Sequence, residues 1–298
     1  MITFSVIIPT YNRAGFIAET LDTILQQTYP HFEVIIVDDG STDRTRQIIE
    51  NGYGNDTRVK YYYKQNEERG AARNFGIQHA KCDYAFFFDS DDWMHKDHLE
   101  VIASELNKPN QSINFIAAKY LYKVGDNKVR LAGSFNLKPG WHGMDSLIKG
   151  NDFGCLYAVN LKNPELILFP KEREYSTIED WMFLLLNLQK DRIYLIDKLT
   201  ITYRHHDDRS MINNQRVINT RKKATEWALN NINLTPAQKQ KLRAWSHYFY
   251  GIHEHLDNNR RKALKEILMA FRLGGFDKKF FILFIKSIIG RKLISKLK

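Results

Sequence analysis

Asp89, Asp91 and Asp92, with Ser90 between the first two, crowd three carboxylates at the end of the apolar stretch Ala85-Phe86-Phe87-Phe88. Carboxylates at i and i+2 off a strand end can meet one hard cation, and Mg²⁺ or Mn²⁺ keeps positions open for phosphate oxygens. Three acids this close repel one another unless a cation neutralises them. The alternative is a solvated turn that caps the next helix. A calcium loop would need Asp or Asn at position 93 and Gly at 94, where Trp93 and Met94 stand.

Four other clusters carry chemistry-bearing side chains. Asp38-Asp39-Gly40-Ser41 has the composition of a turn, yet a carboxylate there can also accept a hydrogen bond from a base or sugar edge. Gly70-Ala71-Ala72-Arg73-Asn74 puts an arginine at the start of a helix, where anions are favoured; an exposed surface arginine is the other reading. Ser176-Thr177-Ile178-Glu179 fits a capping box, with Ser176 as cap and Glu179 answering it. That leaves Asp180 free: a carboxylate beside Trp181 could be a general base next to a ring on which a sugar stacks, but on local sequence alone an ordinary helix start is the stronger reading. In Tyr203-Arg204-His205-His206-Asp207-Asp208, His206 suits a metal or phosphate ligand and Arg204 a phosphate clamp, although a surface loop accounts for them too. Neither G-x-G-x-x-G after a strand nor G-x-x-x-x-G-K-[ST] is present, so no dinucleotide-type or P-loop phosphate site is signalled.

The elements that must position these residues alternate in period. Phe4 to Ile8, Val34 to Val37, Val59 to Tyr63 and Tyr84 to Phe88 read as strands. Ile17, Leu21, Ile24 and Leu25 recur at helical spacing before Tyr29-Pro30; Ser41 or Thr42 can cap a helix through Ile49; Ala71 to Ala80 is a third helix. Strand-helix alternation at this spacing predicts βαβ units, an α/β fold and a mostly parallel sheet with helices on both faces. Ligands then bind beyond the carboxyl ends of the strands, which selects Pro9 to Arg13, Asp38 to Gly40 and Asp89 to Asp92.

Past residue 110 the pattern changes. Ile113 to Tyr122 and Val129 to Phe135 predict a hairpin around Gly125-Asp126-Asn127. A helix is expected from Glu179 through Leu188, and strands over Ile193 to Ile196 and Leu199 to Tyr203. From Asn214 on only helical periodicity remains, which predicts a domain over 1–213 and a helical region over 214–298.

With 298 residues, 43% of them hydrophobic, and 7 prolines, the chain has the composition of a globular protein. Cys82 and Cys155 form no metal or redox spacing and are expected as free thiols in a reducing cytosol. The first residues lack the regions of a signal peptide, and Phe280 to Ile285 is too short to span a bilayer. A cytoplasmic location follows as the expectation. Of the +10 net charge, residues 276–298 carry +6, seven bases against Asp277 alone. The rest is mildly basic, which argues against nucleic acid as a partner. From Phe280 to Leu297, apolar anchors flanked by lysines suit an anionic membrane surface, reached peripherally from the inner face; a helix packed on the body is the alternative.

Ser5-Val6-Ile7-Ile8-Pro9-Thr10-Tyr11-Asn12, Val37-Asp38-Asp39-Gly40-Ser41, Gly70-Ala71-Ala72-Arg73-Asn74 and Phe88-Asp89-Ser90-Asp91-Asp92 together resemble family 2 of the inverting glycosyltransferases in order and spacing. Glu179-Asp180 matches that family's acidic pair, and Tyr203-Arg204-His205-His206 with Ser210 resembles a later stretch. The resemblance covers roughly 210 residues and implies the GT-A fold, a Rossmann-like sheet. It implies that Asp39 binds uracil, with Pro9 and Tyr11 lining the base pocket, and that Arg73 reaches ribose or phosphate. Asp91 would be the direct metal ligand, with Asp89 on the ribose or the metal's water shell. Ser90 would belong to the donor site, His206 to the diphosphate or metal, and Asp180 would be the general base. Adjacent histidines, and the charge of Asp207-Asp208, depart from the pattern. The implied activity is hexosyl or N-acetylhexosaminyl transfer from a UDP-sugar to a glycan or lipid-linked acceptor, with Mn²⁺ or Mg²⁺, in surface polysaccharide synthesis. The competing readings are an inactive basic binding protein on a degenerate transferase fold, and a nucleotidyltransferase, which would want a triphosphate loop.

Overall fold

The computed structural model describes residues 1–109, 111–124, 128–131, 134, 137–206 and 213–290. The expected turn at Gly125-Asp126-Asn127, most of the strand past Leu131 to Phe135, Asp207, Asp208, Ser210 and the bases beyond Gly290 lie outside the described residues. Two compact units are present: Met1–Gly143 with Asp152–His206, and Met144–Asn151 with Asp207–Lys298. Periodicity alone placed a boundary at 213/214 and did not assign Met144–Asn151 to the helical part.

The first unit is built on one sheet of strands β1 (Phe4–Thr10), β2 (Phe32–Asp38), β3 (Val59–Tyr63), β4 (Tyr84–Phe87), β5 (Trp93–Met94), β6 (Phe115–Val124), β7 (Lys128–Leu131), β8 (Gly140–His142), β9 (Tyr157–Asn160) and β10 (Ile193–His205). Its helices are α1 (Ile17–Leu25), α2 (Thr45–Tyr53), α3 (Glu68–His79), α4 (His98–Leu106) and α5 (Glu179–Asn187). The strand order is β3-β2-β1-β4-β9-β6-β10-β5, with β7 paired to β6 and β8 to β10. β3, β2, β1 and β4 are parallel, as their helical crossovers require. Beyond β4 the sheet is mixed: β9 runs antiparallel to both neighbours, and β10 is parallel to β6.

β1 shows why its central residues Val6, Ile7 and Ile8 are apolar on both faces. Val6 and Ile8 pack to one side with Ile17, Leu21 and Ile24 of α1 and Leu99 and Ile102 of α4. Ile7 faces the other side, where α3 lies so close that a Cβ on Gly76 would stand 2.3 Å from Ile7 Cγ2. Phe87, also turned to that side, has ring centroids 4.9 Å from Phe169 and 5.9 Å from Phe183 of α5. Alternation with period two therefore feeds two helical layers.

Local differences from the sequence expectation have physical causes. α2 begins at Thr45, with no side-chain cap from Ser41 or Thr42; Ser41 Oγ instead accepts the Asn12 N–H at 2.9 Å. The two strands expected over 193–203 are one strand, whose register against β6 shifts between Ile196 and Leu199 and again before Ile201.

The second unit contains α6 (Asn214–Asn231), α7 (Pro236–Leu256), α8 (Arg260–Gly274) and α9 (Lys278–Ile289). Thr235 and Gln238 form a capping box at the start of α7, and Gln238 Nε2 donates to Asp145 Oδ1 at 2.8 Å. Ala244, Trp245, Ala270 and Phe280 make a small core there. No helix among the described residues is long and apolar enough to cross a membrane.

Candidate active site

β1 sits between β2 and β4, so the three polar segments selected by the strand-end rule meet at one edge of the sheet. Pro9 is buried within β1, opposite Val37, and Tyr11 lies just past the strand, 46% exposed. Asn12 takes a left-handed backbone (φ 50), which Asn tolerates, and its Oδ1 accepts the Thr42 N–H at 2.8 Å. This ties the β1 and β2 ends together. Asp39 is buried, and its Oδ1 accepts from Lys64 Nζ at 2.8 Å and from the Glu67 N–H at 3.0 Å. Its partner Asp38 is structural: Oδ2 accepts from the Tyr61 hydroxyl at 2.7 Å and Oδ1 from the Ser41 N–H at 2.7 Å.

At the β4 end, Asp89, Asp91 and Asp92 each offer a carboxylate oxygen, and the three oxygens lie within 4.8 Å of one another. Among the described residues this is the one cluster of three or more such ligands. His206, 115 residues away in the chain, brings Nε2 to 3.0 Å from Asp91 Oδ2, and Arg13 Nε stands 3.4 Å from the same oxygen. The His206 ring stacks on Phe16 at 4.1 Å between centroids, and its Nδ1 is buried without a hydrogen bond. Carboxylate oxygens with an imidazole beside them form a donor set suited to Mg²⁺ or, with the imidazole, Mn²⁺. Ser90 is buried, and its carbonyl accepts from Thr20 Oγ1 at 3.2 Å.

Arg204 fixes this loop rather than clamping a phosphate. Its Nε donates to the Asp91 carbonyl at 2.5 Å, its backbone N–H to Asp92 Oδ1 at 2.9 Å, and its Nη1 to Glu19 Oε2 at 2.5 Å. The guanidinium lies over both Phe16 and Trp93, 5.4 Å and 4.8 Å from their centroids.

Asp180 stands in the first turn of α5, half-buried, with its Oδ1 accepting the Trp181 N–H at 2.7 Å. Burial, then the charge of Glu179, pushes its pKa up to about 6, with Arg73 pulling the other way. Glu179 does not serve a capping box, which corrects the sequence expectation: the residue before the helix is Ile178, and no side chain caps it. Glu179 Oε1 instead accepts from Arg73 Nη1 at 2.6 Å.

Two further expectations are corrected. Arg73 is 1% exposed, with Nη2 donating to Asp89 Oδ1 at 3.1 Å, so both ends of the guanidinium are engaged by carboxylates rather than aimed at a ribose or phosphate. The reason is that α3 starts at Glu68, which moves Arg73 from the helix tip to its buried second turn. Burial opposes that charge, but the adjoining Glu179 and Asp89 outweigh it, and the pKa of Arg73 is held well above its ordinary value. Trp181 is likewise 1% exposed, because α5 buries Trp181, Met182, Phe183, Leu184 and Leu185 in succession; no ring face is offered to an acceptor. Sequence reasoning missed Arg13, Phe16, Lys64 and the role of Glu179. Of these only Arg13, within a selected strand-end segment, carried a readable signal.

Residues 5–157 match the model of glycosyl transferase family 2. The putative teichuronic acid biosynthesis glycosyltransferase TuaG of Bacillus subtilis is 31% identical over 183 residues, 61% of this chain and 71% of that protein. Three Rickettsia and Streptococcus relatives are much longer: the chain spans 15–16% of their length. The fold is similar to Staphylococcus aureus TarS 1–349 in complex with UDP-GlcNAc (TM-score 0.68, 20% identity, 96% of this chain and 91% of that one). It is also similar to the mannosyltransferase PcManGT of Pyrobaculum calidifontis in complex with GDP-Man and Mn²⁺ (TM-score 0.65, 17% identity, 99% and 83%). At such identities these two likenesses concern the GT-A fold alone. The matched family model and the TuaG likeness together establish that the chain belongs to glycosyl transferase family 2.

Proposed function

We propose that this protein is an inverting, metal-dependent glycosyltransferase that moves a hexosyl or N-acetylhexosaminyl group from a UDP-sugar to a hydroxyl of a glycan or lipid-linked acceptor. The observation that carries the reading is the pairing of two sites across Arg73: a cation-type carboxylate cluster at Asp89 and a carboxyl at Asp180 with a pKa of about 6. A carboxylate poised there accepts a proton near neutral pH, which is what a general base needs.

In this reading Asp39 accepts from the uracil N3–H, and Pro9 and Tyr11 line the base. Lys64 and the Glu67 N–H hold one Asp39 oxygen, so the orientation of the carboxylate is set before the donor arrives. Ser90 belongs to the donor loop, which Thr20 and Arg204 pin from behind. Asp91, Asp89 and His206 would hold Mn²⁺ or Mg²⁺, which when bound neutralises the diphosphate as a Lewis acid. Asp180 takes the proton of the acceptor hydroxyl as that oxygen bonds to the anomeric carbon. The bond from that carbon to the diphosphate oxygen breaks on the opposite side, UDP departs, and the configuration inverts. The UDP-GlcNAc in the TarS complex and the Mn²⁺ in the PcManGT complex support the donor class and the metal.

A role in surface polysaccharide synthesis, in the cytoplasm at the inner face of an anionic membrane, is part of the same reading. The TuaG likeness and the charge of residues 276–298 support it. The test is a panel of nucleotide-sugars assayed for donor hydrolysis with and without Mn²⁺. Metal-dependent release of UDP from at least one UDP-sugar is expected, and full activity in EDTA would remove the metal from the mechanism.

A further inference from the structure

Helix α9 is apolar on two opposite sides. Phe280, Leu283 and Ser287 turn inward, and the Phe280 ring stands 5.1 Å from Trp245, 5.2 Å from Tyr248 and 5.8 Å from Phe271. These contacts seat the helix on α7 and α8. On the other side Phe281, Ile282, Ile285, Ile288 and Ile289 are each 39–46% exposed, and Phe276, just before the helix, is 78% exposed. At about 100° per residue, those five fall within one arc of about 120° facing away from the seated residues. A helix apolar all round is normally covered on every side.

The charges around this face favour an anionic partner. Lys278 lies within the outward arc, and Lys279 and Lys286 lie along one flank; all three are exposed. No acid occurs within α9, and Asp277, which precedes it, is used as the cap, accepting the Lys279 N–H at 2.8 Å. The sequence past Gly290 adds Arg291, Lys292, Lys296 and Lys298 without an acid. A second copy meeting this face by its own would bring lysines against lysines, which like-charge repulsion disfavours.

We propose that the outward face of α9 docks in the plane of an anionic lipid surface. The phenylalanine and isoleucine side chains enter the boundary between headgroups and acyl chains, and the lysine stems run along it with their ammonium groups at the phosphates. This gives the membrane contact of the proposed function a specific element and rests on that part of the reading only, not on its donor chemistry.

Sedimentation of the full chain with vesicles tests it, using phosphatidylcholine alone and an equal mixture of phosphatidylcholine and phosphatidylglycerol, with UDP-sugar hydrolysis measured on the same samples. Binding to the mixed vesicles that weakens as salt rises is expected, with little binding to phosphatidylcholine alone. Phe281→Ser/Ile285→Ser should lose most of the binding. Lys278→Glu/Lys286→Glu should lose at least about 25-fold, since each lysine near such a surface contributes about fivefold. Hydrolysis should be unchanged in both variants, which reports that they fold. If the apolar variant does not fold, the lysine variant decides alone. Equal binding of wild type to both vesicle types, wild-type binding by the variants, or a dimer in gel filtration that the apolar variant dissociates would overturn the proposal. Vesicle binding without any donor hydrolysis would leave it standing and remove the glycosyltransferase reading instead.

Discussion

Arg73 and Glu179, 106 residues apart in the chain, are joined by a 2.6 Å hydrogen-bonded ion pair buried at the point where α3 meets the start of α5. The other end of the same guanidinium holds Asp89. One cation therefore spans the cation-type cluster and the residue next to Asp180. Breaking a buried pair from one side strands the other charge, a cost of about 3–5 kcal/mol.

Arg73→Met should therefore lower the unfolding free energy by about that much, read by chemical denaturation. Adding Glu179→Gln should restore a large part of the stability, because the stranded charge is gone. Turnover should stay depressed in the double variant, since the guanidinium that links Asp89 to the residue beside Asp180 is gone. An Arg73→Met protein as stable as wild type would show that the pair contributes nothing to the fold.

Asp180→Asn should reduce kcat by about 10²–10⁴-fold while leaving UDP affinity near wild type. In the wild-type protein kcat should fall about tenfold per pH unit below pH 6, because only the ionised carboxyl accepts a proton and its pKa is about 6. Stability runs the opposite way. The folded protein holds this proton more tightly than the unfolded chain, so the stabilisation from the protonated form is complete below the ordinary carboxylate pKa and is lost as pH rises through about 6. At pH 7.5 the ionised, half-buried Asp180 is a burden on the fold, and the Asn variant should melt at or above the wild-type temperature. Lower activity with a clearly lower melting temperature would mean that Asp180 holds the fold instead.

The strand ends were legible because continuous apolar runs such as Phe4–Ile8 and Val34–Val37 end abruptly in polar residues, and a parallel sheet aligns those ends. Asp39, Asp89 and Asp91 lie at such ends, whereas His206 stood out only as part of a titratable cluster after a strand, with a surface loop as an equal reading. The Arg73–Glu179 pair was not legible. Each residue has a sufficient local explanation, a helix start for one and a capping box for the other, and only tertiary packing cancels both. Trp181 was misread for a related reason: an aromatic beside a carboxylate looks the same in sequence whether it faces a sugar or the core. Strands β5, β8 and β9 have two to four residues each, too few for a period-two pattern to stand out.

Asp91 is central to the proposed cation site, since both His206 and Arg13 converge on its Oδ2. Asp91→Ala should abolish metal-dependent UDP binding in calorimetry. His206→Ala should weaken it less, by about 10–100-fold, as expected for one neutral ligand or orienting group among several. Equal UDP affinity of Asp91→Ala and wild type, in saturating Mn²⁺, would move the site elsewhere.

Gly70 supplies the approach that brings Arg73 to Glu179. A Cβ there would stand 2.2 Å from the Pro170 carbonyl oxygen and 3.7 Å from Glu179 Cγ. The first neighbour is backbone and cannot rotate away, so Gly70→Ala must push α3 from the 170–179 segment. Alanine is the better helix former by about 1 kcal/mol, which offsets part of the strain. The strain of overpacking, about 1–3 kcal/mol, should still dominate and lower the melting temperature. Gly52 in α2 has nothing within 4 Å of its Cβ position and is the matched control: Gly52→Ala should stabilise. Since the displaced helix carries Arg73, Gly70→Ala should also lose turnover out of proportion to its lost stability, whereas Gly52→Ala should retain wild-type kcat. If both variants melt alike and turn over alike, the contact at Pro170 does not set the distance between Asp89 and Asp180.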